Sequence, residues 1–225
     1  KMNEKEIHLM VDIETMSTEV DAHVFQVRMT QFDPYAIANG KDLEDVIMGG
    51  LYDIYTEGSL SFELIAPPLS DHRHVSESTK EFWFKENRET LMNILERANE
   101  RTGDDLWREL IGNMEFVKEE ADSKGAEVFV WGNGPSFDNV ILRDGIVQHG
   151  GDPMLIPYYN DRCVRTVTAL GAKALGLPVK KFRDRVKNIV DNESSMSIYS
   201  AHDARYDTVK QILEVNYAIE ALFRK

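Results

Sequence analysis

Ile7–Ile13 is an apolar run too short for an ordinary helix, and it reads as a buried strand. The run carries Asp12, and Glu14 follows at once in HLMVDIET. Strand side chains alternate between faces, so residues two apart share one face. Both acids therefore point the same way from a strand with no watery side. Two carboxylates placed like that cost free energy unless something compensates them. Whatever fold this chain adopts has to bring partners to that face.

Three further residues extend the pattern. Asp138, in WGNGPSFDNVIL, comes just after a strand-and-turn signal, in the first turn of a helix. Ligands of open α/β sheets collect at the carboxyl ends of strands, and an acid there also complements the helix dipole. His202 and Asp207, in AHDARYD, are five residues apart. On one helix they would lie about 140° apart. They reach one site only if His202 sits on the loop before the helix and Asp207 on its second turn. Asp203 between them is expected to cap that helix. Four carboxylates repel one another, so one pocket holding all four makes sense mainly around metal cations, and two divalent cations beside a histidine base cut phosphodiesters.

The remaining elements follow from period and punctuation. Val24–Phe32 and Leu60–Ile65 read as strands, as does Glu127–Trp131. The long connection Asp33–Ser59 holds one apolar stretch, Val46–Ile54, and is expected to be an insertion with structure of its own. Ser78 or Thr79 is placed as the cap of a helix running from Thr79 to Asn99. Leu106, Leu110, Met114, Val117 and Ala121 recur at steps of three and four, which predicts an amphipathic helix over Asp104–Lys124 ended by Gly125. Ser136 is read as the cap of a helix over Phe137–His149. Asp161–Leu175 and Ala204–Phe223 are read as the last two helices. Early strands followed by alternating helix and strand predict a mixed sheet flanked by helices, in one domain spanning 1–225.

Composition excludes several classes. The chain has 225 residues and a net charge of −13, which argues against a protein that coats duplex DNA. A nuclease survives that test, because it needs only a local positive path to one strand end. The single cysteine, Cys163, rules out an internal disulfide or a cysteine-based zinc site, and a reducing cytoplasm fits. Cys163 is read as a helix-face residue rather than a nucleophile. No membrane span and no signal peptide are expected. Lys1 precedes Met2 and is expected to be an added residue. GNGPS lacks the lysine and spacing of a nucleotide loop. His72 and His74 lack a third ligand and read as a polar loop.

Taken in order, D-x-E near the start, F-D at a central helix and H-x4-D at the last helix resemble the DEDD exonuclease superfamily in its histidine-bearing DEDDh branch. The strings DIETMS, WGNGPSFDNVIL, DRCVRT, AHDARYD and STKEFWFKEN resemble phage exonuclease A, the nuclease domain of exonuclease VIII and the mycobacterial RNase T-like 3′–5′ exoribonuclease. In the last string Phe84 stands where a second tryptophan is common. The resemblance implies an α/β, RNase H-like fold: a mixed five-stranded sheet, three antiparallel strands then parallel, with helices on both faces. It implies that Asp12, Glu14, Asp138 and Asp207 hold two Mg²⁺ ions, or Mn²⁺ in their place, and that His202 is the general base.

The implied activity is removal of nucleoside 5′-monophosphates from the 3′ end of single-stranded DNA or RNA. DNA is modestly favoured here, with an exoribonuclease as the alternative and a catalytically silent RNase H-like binding module as a remote one. Met16 is expected to wedge against the terminal base and Phe137 to stack on a base. Arg162 and Arg165 are expected to bind phosphate or pair with internal acids. The basic run Lys180, Lys181, Arg183, Arg185 and Lys187 either guides a strand or is a solvated face. A homodimer is admitted by the resemblance, and the location would be cytoplasmic, that of a bacterial host if the chain is phage-encoded.

Overall fold

The computed structural model describes residues 5–56, 59–98 and 101–224. Residues 1–4, with the expectation for Lys1, lie outside these, as does Asn99, the expected end of the helix begun at Thr79.

The sheet is built from β1 (Glu6–Thr15), β2 (Val24–Gln31), β3 (Ile54–Thr56), β4 (Ser59–Ile65), β5 (Glu127–Gly132) and β6 (Asp161–Cys163). Their order is β3-β4-β2-β1-β5-β6. β2 pairs antiparallel with β1 and β4, and β3 with β4; β5 runs parallel to β1, and β6 to β5. The mixed sheet with helices on both faces is the RNase H-like arrangement, with six strands among the described residues where five were expected. The sixth is explained by β3, a three-residue edge strand within the long 33–59 connection. β6 was read as the start of a helix. Strands of three residues are too short to show a period.

β1 explains its own sequence. Ile7, Leu9, Val11 and Ile13 pack on α4 (Gly103–Lys124) and α5 (Asp138–Gln148), through Leu106, Leu110, Met114, Ile141, Leu142 and Ile146. Met10, on the alternate face, joins α8 (Ala204–Phe223), α6 (Val164–Ala174), α7 (Val179–Asn192) and α1 (Leu43–Leu51). A central strand covered on both faces reads as a continuous apolar run, and the even-numbered side carries Asp12 and Glu14 toward α8. Gly171 lets α6 approach α8 closely: a Cβ there would lie 2.4 Å from the Ala218 Cα.

Several expected boundaries change. The segment from Thr79 is α2 (Glu77–Glu81), a π-helical turn over Phe82–Glu86 and α3 (Arg88–Leu95), separated at Asn87. Its cap is Ser76, whose Oγ accepts from the Thr79 N–H at 3.3 Å. α4 has the expected span, with Thr102 and Asp105 forming a reciprocal cap and Gly125 in the left-handed region at φ 60°. Ser136 caps nothing; Phe137 is the N-cap residue of α5. α1 and α7 were not foreseen as helices. The basic run of α7 hid its apolar side of Phe182, Val186 and Val190. α8 has the expected bounds, and Asp203 caps it by accepting from the Arg205 N–H at 3.0 Å. Among the described residues no helix is long and apolar enough to cross a membrane.

Candidate active site

The carboxyl end of β1 meets the first turns of α8. Asp12 is buried, and its Oδ1 accepts from Gln211 Nε2 at 2.6 Å. Asp207, Lys210, Gln211 and Glu214 follow one another at helical steps of three and four, so they share one stripe of α8. Lys210 Nζ donates to Asp207 Oδ1 at 3.0 Å. His202 lies on the loop before the helix with a left-handed backbone, φ 67°. Its N–H donates to Asp207 Oδ2 at 2.9 Å, which ties the loop to the helix. Candidate ligand atoms of Glu14, His202 and Asp207 all lie within 4.8 Å of one another.

Asp138 enters from α5. Backbone groups of Asp138 itself and of Ile13 act on its carboxylate and favour the charged form, which sets it beside β1 near Asp12 and Glu14. Gly132 makes room: a Cβ there would lie 2.8 Å from Asn139 Oδ1 and 3.3 Å from Asp138 Oδ2. Arg165 supplies an opposing charge to Asp138 and lies against the turn, where a Cβ on Gly134 would sit 3.4 Å from its guanidinium carbon.

The electrostatics are those of acids short of counter-charge. Burial, then the charges of Asp207 and Asp138, push Asp12 well above the usual carboxylate range. Burial, then Asp12 and Asp207, do the same to Glu14. Burial raises Asp138 from 3.8 to about 7 against the pull of its two backbone donors and Arg165. Nearby like charge and desolvation both favour the neutral acid. The all-oxygen donor set, with one imidazole beside it, is what a hard divalent cation takes. The residues present fit such a group.

The π-helical turn between α2 and α3 closes one side. Trp83 is buried, and its Nε1 donates to the Thr15 carbonyl at 2.9 Å. Next to it, the Phe82 ring stands edge-on to His202, with centroids 5.1 Å apart. Phe82, Lys210 and Gln211 stand at the site, and the sequence reading singles out none of them. For the last two, the helical spacing from Asp207 was the available signal.

Two residues expected to touch substrate are engaged in apolar and ring contacts. Met16 is wholly buried with Phe25, Trp83 and Leu91, so its side chain offers no surface to a base. Arg162 lies over the Phe129 ring at 4.1 Å, among the residues around His8, and does not join the acids. Phe137 is half-buried beside Asp138. On α7, Lys180 and Lys187 pair with Asp184 and Asp191 of the same helix, as a solvated face does. Arg183 alone is seen to turn inward, toward Glu214 at 3.4 Å and Asn133 Oδ1 at 3.3 Å.

A protein-family model described as the 3′-5′ exoribonuclease Rv2179c-like domain matches residues 7–217. The chain belongs to this family. The matched span contains all five residues of the acid–histidine cluster. As a member of an Rv2179c-like exoribonuclease family, the chain is a 3′–5′ exonuclease, a phosphodiester hydrolase. Among curated proteins no match is found.

Proposed function

We propose that the chain is a metal-dependent 3′–5′ exoribonuclease that removes nucleoside 5′-monophosphates from single-stranded 3′ ends. The observation that carries this reading is the convergence of Asp12, Glu14, Asp138 and Asp207 on one another, with His202 beside Glu14 and Asp207. The earlier lean to DNA gives way to RNA, because the family description names an exoribonuclease.

Asp12, Glu14, Asp138 and Asp207 would hold two divalent cations, Mg²⁺ or Mn²⁺. When bound, these cations would neutralise the carboxylates, admit the scissile phosphate and stabilise charge on the leaving oxygen. The protein's own groups do the rest. His202, exposed on its loop, takes the proton of the attacking water. Asp207 holds the His202 backbone, and Phe82 limits the ring's orientation. Gln211 fixes the Asp12 carboxylate. Arg165 meets a phosphate of the incoming strand, and Phe137 stacks on a base beside the scissile bond.

The test is product identity. RNA and DNA of one sequence are incubated with the protein and Mg²⁺ or Mn²⁺, with a chelated control. Release of nucleoside 5′-monophosphates, faster from RNA and abolished by chelation, is expected. Nucleoside 3′-monophosphates, or release that survives chelation, would refute the mechanism.

A further inference from the structure

Beneath the histidine loop lies a second layer of charge that no step above uses. Asp203, the residue after His202, is buried. Its carboxylate accepts from Arg97 at 3.0 and 2.8 Å and from Gln26 Nε2 at 3.0 Å. Gln26 faces Glu14 across the β1–β2 pairing, and its Oε1 accepts from the Ala204 N–H at 3.1 Å. Glu63 on β4 accepts from Arg97 at 2.9 Å, Gln26 at 2.8 Å and Arg205 at 2.7 Å. Asp53 takes Arg205 at 3.2 Å and also Arg28. Three arginines thus meet three acids, and the layer is neutral.

Arg97 holds the loop at both ends. Besides Asp203, its guanidinium lies over the Tyr199 ring at 5.2 Å. Between Tyr199 and Asp203 stands His202, in a left-handed backbone conformation that a non-glycine residue keeps only when its surroundings enforce it. The histidine side chain is exposed, so backbone restraint must set much of its position. A forked guanidinium can bind one carboxylate through two contacts while its face takes an aromatic ring; an ammonium cannot.

We propose that Arg97 is a positioning residue for His202, acting through Asp203 and Tyr199 on either side of it. The catalytic part rests on the reading of His202 as general base. The loop restraint is separable from it.

The experiment compares the full chain with Arg97→Lys, His202→Ala and the double variant. Single-turnover cleavage of labelled RNA is measured with Mn²⁺, together with Mn²⁺ affinity and amide hydrogen exchange over residues 199–204. Arg97→Lys is expected to slow cleavage about 10-fold or more, since small misplacements of a reacting group cost that order. Its KM and Mn²⁺ affinity should stay close to the wild-type values, and exchange over 199–204 should quicken. In the His202→Ala background the same change should alter the rate less than about twofold, because two residues acting through one step are not additive. A full multiplicative effect in that background, or unchanged exchange, would overturn the proposal. Wild-type cleavage by His202→Ala alone would instead sink the base assignment, leaving the exchange data to judge the restraint. Should Arg97→Lys fail to fold, Tyr199→Leu removes one arm of the clamp and carries the same expectations.

Discussion

Gln211 of α8 donates a 2.6 Å hydrogen bond to Asp12 of β1, joining residues 199 positions apart at the heart of the acid cluster. It is a neutral donor on an acid that burial, and then repulsion by Asp207 and Asp138, push toward protonation. Replacing it by leucine should lift Asp12 further and leave the carboxylate free to turn. A hydrogen bond to a charged group is worth about 1.5–3 kcal/mol, so kcat/KM for Gln211→Leu should fall about 10- to 100-fold. The acidic limb of its pH profile should move to higher pH. Steady-state assays across pH check both.

The raised carboxylates make a statement about stability. Asp12, Glu14 and Asp138 are harder to ionise in the fold than in the unfolded chain, Asp138 rising from 3.8 to about 7. The folded protein therefore binds more protons over that interval. Stability is fully present below the unfolded value and is lost as pH rises through the folded one. Lys210 and Arg165 oppose this loss but face three acids and Asp207. Thermal melts in chelator should show Tm falling from about pH 5 to about pH 8. Mn²⁺ should restore it, by an increment that grows with pH, because cations bind the ionised form.

The same buried acids set function against stability. Asp138→Asn removes a charge that burial, and then the nearby Asp207, make costly to ionise, so above about pH 7 in chelator its Tm should exceed the wild-type value. Turnover should be lost and Mn²⁺ stabilisation weakened. A melt that drops in chelator would show that the Asp138 carboxylate is held for packing rather than for cations.

His202→Ala should lower the cleavage rate about 10²- to 10⁴-fold, the range for a general base. Mn²⁺ affinity, measured by calorimetry, should change little, because the four carboxylates remain. A large loss of affinity would make His202 a ligand first.

The acids were legible because they break local rules: Asp12 and Glu14 interrupt an apolar run, and His202 and Asp207 flank a helix start. α8 and α4 were legible from period and caps. What was hidden depends on tertiary contact. Met16 and Arg162 are placed by Trp83 and Phe129, which lie far from them in sequence. The apolar side of α7 is obscured by its charge, β3 and β6 are too short to alternate, and the break at Asn87 follows a π turn that no residue period announces.

The most direct measurement follows RNA labelled at its 5′ end, incubated with the protein and Mg²⁺ beside the Asp12→Ala variant. A ladder shortening from the 3′ end, absent with the variant, is the expected result. Cuts at internal positions, or an equal ladder from Asp12→Ala, would contradict the assignment of this acid cluster as the exonuclease site.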